Sequence, residues 1–188
     1  MSQMISLWRF ACKLYSQPTA KNAYLQLQDN SDVNVPLLLA SCWLAQHQCV
    51  VPIVHVTALQ AMAKRWNDHC IQPLRVLRQQ MKTATAEEDT SAWSLVREEV
   101  KAAELFAEQQ LLQKIEAYIQ QQILSTAEKA TLQSSEQWVD HVFTIIVQCS
   151  PTLARPPQVC HIIADIILSV VPASSQMSYD AVLERISQ

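Results

Sequence analysis

From Trp93 to Leu124 the chain carries neither proline nor glycine, and its apolar residues fall on two helical stripes. With Val96 set at zero and an advance of about 100° per residue, Val96, Val100, Ala103, Ala107, Leu111 and Tyr118 share one side. Leu105, Leu112, Ile119 and Ile123 lie nearly opposite. A surface helix shows a single apolar stripe. Two stripes therefore predict neighbours on two sides, and they make this segment the central rod of an all-α domain.

The segments before the rod also carry helical patterns. A first helix is predicted over 4–16, with Leu7, Phe10, Ala11, Leu14 and Tyr15 inward, Arg9 and Lys13 outward, and Gln17-Pro18 ending it. A second, over 20–28, closes on a turn at Asp29, Asn30, Ser31 and Asp32, where Asn30 or Ser31 takes the usual place of a glycine. Asn34 stands as an N-cap, with Pro36 in the first turn of an apolar helix through Leu37, Leu38, Leu39, Cys42, Trp43 and Leu44. No charged residue lies between Val35 and Ala45. The segment is thus a core helix and not the recognition helix of a helix-turn-helix, which meets base edges with polar and basic side chains.

A long helix is expected from Thr57 to Met81. Leu59, Ala63, Trp66, Cys70, Leu74, Leu77 and Met81 alternate at four- and three-residue steps, the seam of a helix packed lengthwise on another. Pro73 should kink it near His69, because proline has no N–H and crowds the carbonyl four residues back. Thr90 or Ser91 caps the rod, and capping boxes follow at Ser125 with Glu128 and at Ser134 with Gln137. Trp138 to Cys149 and Val159 to Val171 form two apolar helices, and Ser178 caps a terminal one. The architecture expected is a single irregular bundle of about seven helices around the antiparallel hairpin Thr57–Leu124. It forms one domain, with residues 1–124 as core and 125–188 packed on it or forming an interface.

Composition narrows the functions. At 49% hydrophobic over 188 residues the chain can bury a sizeable core. It has no glycine at all, which disfavours Rossmann turns, phosphate loops and nucleophile elbows, since each needs glycine where the backbone takes φ > 0 or approaches a ligand closely. The six cysteines contain no C-x-x-C pair and sit in apolar runs, the pattern of reduced core thiols and not of a zinc site or disulfide framework. The start of the chain lacks the layout of a signal peptide, and Ile162 to Val171, interrupted by Asp165, is too short to cross a bilayer. The expected location is the cytoplasm, without a membrane partner.

Several landmarks are shared with a known family: Trp8-Arg9-Phe10-Ala11 with Tyr15; Leu25 and Leu27-Gln28-Asp29; Asp32-Val33-Asn34 with Leu37-Leu38-Leu39; Trp43-Leu44; Trp66; Pro73-Leu74-Arg75 with Leu77-Arg78 and Lys82; and Ala103-Glu104-Leu105 with Ala107-Glu108. In these the chain resembles a proteobacterial family of small cytoplasmic proteins known as a domain of unknown function. The resemblance spans roughly residues 5–124. The chain departs from the family in lacking the glycine before Asp32-Val33-Asn34, and the match fades beyond Leu124. What the resemblance implies is an all-helical fold with no established activity.

Charge is distributed unevenly: residues 1–82 hold eight Lys/Arg against three Asp/Glu, and residues 83–188 six against fourteen. Within the basic part, Arg75, Arg78 and Lys82 form a stripe at i, i+3 and i+7, with Lys64 and Arg65 further up the same helix. A row of cations can neutralise phosphates without reading sequence. The alternative is pairing with acids on the next helix. A hairpin turning near residue 87 places Arg75 opposite Glu99, and Trp66 and His69 opposite Glu108 and Glu104, a candidate polar network of His69, Glu99, Glu104 and Glu108. Carboxylates one turn apart invite comparison with di-iron bundles, but no Glu has His three residues later, as those sites require. His161 and Asp165, with Asp140 and His141, could orient a base, yet no motif nominates a nucleophile beside them. The expectation is a non-enzymatic cytoplasmic interaction or regulatory protein without cofactor or small-molecule substrate, acting through a protein partner or self-association. The alternative is a nucleic-acid-binding regulator using Arg75, Arg78 and Lys82.

Overall fold

The computed structural model describes residues 5–31, 34–49, 51–83, 90–125, 134–150, 157–170 and 177–187. Among these there is no β-strand. The helices are α1 (Leu7–Tyr15), α2 (Pro18–Ser31), α3 (Val35–Gln46), α4 (Ile53–Trp66), α5 (Gln72–Thr83), α6 (Thr90–Gln122), α7 (Ser135–Cys149), α8 (Pro157–Val170) and α9 (Tyr179–Ile186). A π-helical turn, Asn67–Ile71, joins α4 to α5 into one rod. The fold is an all-α bundle.

The centre of the bundle is α3. Every residue from Val35 to Ala45 is buried, as a helix apolar on all sides requires. Its entry is fixed by Asn34, whose Oδ1 accepts from the Leu37 N–H at 3.1 Å, with Pro36 supplying a preset φ where no N–H is needed. Around it pack α1, α2, α4, α6, α7 and α8. Trp43, fully buried, donates its indole N–H to the Ile5 carbonyl at 3.0 Å and ties α3 to the approach to α1. The C-terminal helices share this core: α7 lies along α3, α8 along α2, and α9 closes over α7 and α8. Ser134 and Ser178 cap α7 and α9 through their hydroxyls, as the sequence predicts.

The 33-residue α6 is the longest helix, but its two sides are not both covered along its length. Leu111, Leu112, Ile115, Ile119 and Ile123 are buried where α6 meets α1, α3 and α4. Glu116 reaches the start of α1, where it accepts the Leu7 N–H at 3.0 Å, a carboxylate at a helix N-terminus. The other half differs from expectation: Val96 and Leu105 are exposed, so the rod is wrapped on two sides only in its C-terminal part. Its N-terminal half carries α5 and little else, and the two project as an antiparallel arm.

Other boundaries shift for identifiable reasons. Helix α2 continues through Ser31, so the expected turn at 29–31 is helical; Asp32 and Val33 lie outside the described residues. The rod begins at Ile53, directly after Pro52, and not at Thr57. The Glu128 half of the Ser125 capping box and the side chains of Thr90 and Ser91 also lie outside the described residues. Of the cysteines, Cys42, Cys49, Cys149 and Cys160 are buried, whereas Cys12 is exposed on the outer side of α1 and Cys70 is half-buried.

The absence of glycine leaves its mark at the end of α3. The Gln48 N–H bonds the Ala45 carbonyl at 2.9 Å and the Cys49 N–H bonds the Leu44 carbonyl at 3.3 Å, the paired bonds of a Schellman C-cap. Gln48 holds the left-handed position, φ 53°, that glycine normally fills. A residue with a Cβ is strained there by about 1 kcal/mol. Gln48→Gly is accordingly expected to stabilise the fold by up to about 1 kcal/mol, read as a higher urea midpoint. An unchanged or lower midpoint would show that the side chain contributes more than the strain it causes.

Candidate functional site

The arm is built from sequence upward by the π turn. Pro73 has no N–H for the carbonyl of His69, and the helix widens over the five preceding residues, the Gln72 N–H bonding back to the Asn67 carbonyl. The widened turn takes in one extra residue and rotates the start of α5 relative to α4, bringing Ile71, Arg75 and Arg78 to the inward side. Of the expected seam, Cys70 and Leu74 remain half-buried against the core and Met81 is buried, but Leu77 is turned out, and Ile71, Arg75 and Arg78 join the inward face. Ile71 is buried while Leu77 is left 44% exposed.

Arg75 and Arg78 meet α6 at a cluster of two carboxylates. Arg75 donates its Nε–H to Glu104 at 2.9 Å and an Nη2–H to Glu108 at 2.8 Å. Arg78 donates Nε–H to the other oxygen of Glu104 at 2.5 Å and Nη2–H to the first at 3.3 Å. Glu104 is a buried charged side chain. Burial raises its carboxyl, but the hydrogen bonds and charges of Arg78 and Arg75 outweigh that and hold it below its ordinary value. Glu108 differs: burial, with the Glu104 charge, raises it although Arg75 opposes the shift. Tyr15 of α1 lies near the same cluster, its phenol pushed up by burial and by the Glu108 charge.

The cluster is hemmed by tryptophans that satisfy backbone carbonyls. Trp66 donates its indole N–H to Ala107 at 2.9 Å, and Lys114 lies 5.1 Å over its ring. Trp93 donates to Met81 at 2.8 Å and fastens the far end of the arm.

The sequence-predicted residues therefore separate. Arg75, Arg78, Glu104 and Glu108 come together, but Glu99 and His69 are exposed and take no part in the network. Glu99 does not face Arg75; the extra π residue and the reach of the arginine side chains place the guanidinium groups a turn further along α6. Lys64 pairs with Asp68 at 2.6 Å on the surface, and Arg65 and Lys82 are exposed. The cationic stripe is interrupted by its own neutralised members.

The C-terminal polar residues find structural partners. Arg185 grips Asp140 with two nitrogens, one at 2.5 Å. His161 bonds the Tyr179 hydroxyl at 3.0 Å and stacks on its ring, and His161 is exposed. The His141 ring is shifted down by burial, against a hydrogen bond with the Cys49 backbone. Among the described residues no three His, Cys, Asp or Glu side chains group as metal ligands.

What sequence reasoning missed is apolar and exposed. Leu95, Val96, Leu105 and Phe106 of α6 are 71%, 54%, 53% and 61% accessible. Val76 and Leu77 of α5 are exposed as well. The signal was present: Leu95 and Phe106 fall on neither stripe read from the sequence but on a third, between them, at about 260–280° from Val96.

Residues 6–115 match the family described as Protein of unknown function (DUF2390). The chain belongs to this family. The matched stretch holds the arm's ion cluster and its exposed apolar residues, so these are features of the family's own region in this chain. No curated protein and no solved structure matches the chain.

Glu104 and Glu108 should answer differently to neutralisation. Glu104, lowered in the folded chain, stabilises fully above the ordinary carboxylate value of 4.5 and loses that contribution as pH falls through its lowered value. Glu108, raised, runs the other way, and its protonation on acidification favours the fold. Glu104→Gln is expected to cost about 2 kcal/mol at neutral pH by leaving two arginines short of charge, and less in acid. Glu108→Gln should cost under about 1 kcal/mol. Urea unfolding at pH 7 and pH 4 checks both, and equal losses would refute the asymmetry.

Proposed function

We propose that this protein is a non-catalytic interaction or regulatory protein of the bacterial cytoplasm, working through protein contacts made by the α5–α6 arm. The observation that carries the reading is the inversion of the arm. Its charges are turned inward and matched, Arg75 and Arg78 on Glu104 and Glu108, while apolar side chains are turned out at Val76, Leu77, Leu95, Val96, Leu105 and Phe106. Exposed apolar residues on a salt-bridged helix pair have the composition of a docking element.

The second reading, a nucleic-acid-binding regulator using the basic stripe, is supported by the exposed Arg65 and Lys82. It is weakened by the ion pairs. Phosphate contact by Arg75 or Arg78 would require stripping Glu104 and Glu108 of their partners, at a cost that surface arginines do not face.

The test is capture from native lysate, with and without nuclease, by the wild-type chain and by the Val76→Glu/Leu77→Glu variant. The expected result is a protein partner that survives nuclease and is lost with the variant. Capture abolished by nuclease, or by Arg65→Glu/Lys82→Glu and not by the apolar change, would establish the nucleic-acid reading instead.

A further inference from the structure

The short helix α9 repeats on a small scale the pattern by which one protein's helix binds another. Tyr179, Val182, Leu183 and Ile186 stand at i, i+3, i+4 and i+7 and form its inward face, with Val182 and Ile186 fully buried. That spacing is the anchor set of an amphipathic helix seated in a groove. Asp180, Glu184 and Ser187 are exposed on the other side. The seat is made by α7 and α8, which themselves pack on α3, so α9 lies on the outside of the body.

Polar contacts fasten this helix at both ends. Near its start the Tyr179 ring stacks on His161 of α8, with centroids 6.0 Å apart. The phenol donates to the His161 carbonyl at 3.3 Å and lies 3.0 Å from Nδ1 of the same residue. A phenol has one proton to give, so Nδ1 carries the hydrogen of the second bond. Near its end Arg185 holds both oxygens of Asp140 on α7, one at 2.5 Å, and approaches Glu136 at 3.6 Å. These fasteners are specific in geometry but accessible, because Arg185, Asp140 and Glu136 are all partly open to solvent. An eight-residue segment is too short to stay helical alone. Its helicity therefore comes with docking, as in a segment that folds on binding.

We propose that α9 is an intramolecular stand-in, and that its seat on α7 and α8 accepts in its place a helix of a protein partner with the same chemistry. That helix carries apolar anchors at i, i+3, i+4 and i+7 and an arginine one residue before the last. Asp140 and Glu136 on α7 select the cation, while His161 on α8 meets an aromatic hydroxyl at the first anchor. Residues 171–177 join α9 to α8, and a tether that short sets an effective concentration on the order of 1 mM. The partner has to displace a neighbour, so the seat is closed by default. This surface is separate from the α5–α6 arm and does not depend on the docking reading of it.

A fluorescent peptide of residues 177–188 tests this against the full chain and against a full-length Tyr179→Phe/Arg185→Ala variant, in which the tethered helix is weakened and the residues of the seat are unchanged. Anisotropy should show the variant binding the peptide at least about tenfold more tightly than the wild type, because the occupant already in place has lost its polar fasteners. Adding Asp140→Ala to the variant should weaken peptide binding by about tenfold or more, since the peptide's arginine loses its carboxylate. Amide hydrogen exchange on the same samples should show α9 opening about tenfold more often in the variant while the α3 amides keep their protection. That protection also shows that the variant is folded. Peptide binding no tighter in the variant than in the wild type, or indifferent to Asp140→Ala, overturns the proposal. So do α3 amides that accelerate together with those of α9, which would make α9 a fixed part of one cooperative core. The lysate capture reports on the arm, and neither result decides the other.

Discussion

The structure depends on disposing of one helix that has no side to give to water. From Val35 to Ala45 every side chain of α3 is buried, and the strongest driving force available, removal of apolar surface from solvent, acts on its whole circumference. The consequence is an arrangement in which α1, α2, α4, α6, α7 and α8 each contribute a strip of cover. The polar obligations of the surrounding elements are met by long-range bonds from a few side chains. Trp43 reaches Ile5, Gln46 reaches Val170 at 3.1 Å, and Gln60 reaches Gln148 at 3.2 Å. Each links segments remote in sequence, and the Val170 and Gln148 carbonyls lie in the last turns of α8 and α7, where intrahelical partners run out.

The contrast between this body and the arm is the main functional clue. In the body, hydrophobic burial selects the fold and buried polar side chains are few. In the arm the order is reversed, with a two-carboxylate, two-arginine cluster at the helix contact and apolar residues facing solvent. Ion pairs of this kind specify register better than they supply net stability, because desolvation offsets much of their attraction. A pair of helices held this way is well positioned but thinly covered.

Much of the body was legible in the sequence. The unbroken apolar run of α3, the Asn34 cap with Pro36, and the serine caps of α7 and α9 are local signals, and local signals are what periodicity and capping rules read. The arm was only partly so. The seam through Cys70, Leu74, Leu77 and Met81 assumes even winding; one widened turn before Pro73 brought Ile71, Arg75 and Arg78 inward and put Leu77 out, while Cys70 and Leu74 stay half-buried and Met81 buried. That displacement also turned the expected Arg75 to Glu99 pairing into Arg75 with Glu104 and Glu108. The two-sided rod failed at Leu105 for a different reason: an apolar stripe announces that something covers it, without saying whether the cover belongs to the same chain. The missing glycine was correctly felt as a problem for a tight reversal, but it was solved at Gln48 and not at Asn30 or Ser31.

Because α5 takes most of its packing from α6 and the π turn, with Leu74 reaching the core cluster, separating the two arm helices exposes little of the α3 core. Local opening there is a small event compared with global unfolding, and its free energy is set mainly by the ion cluster and the Trp93 anchor. The amides of α5 and of the first turns of α6 thus belong to a cooperative unit of their own, able to exchange with solvent while Trp43 and its surroundings stay closed. The arm can loosen, reseat and accumulate substitutions without jeopardising the rest of the molecule, a degree of independence that the buried helix at the centre does not have.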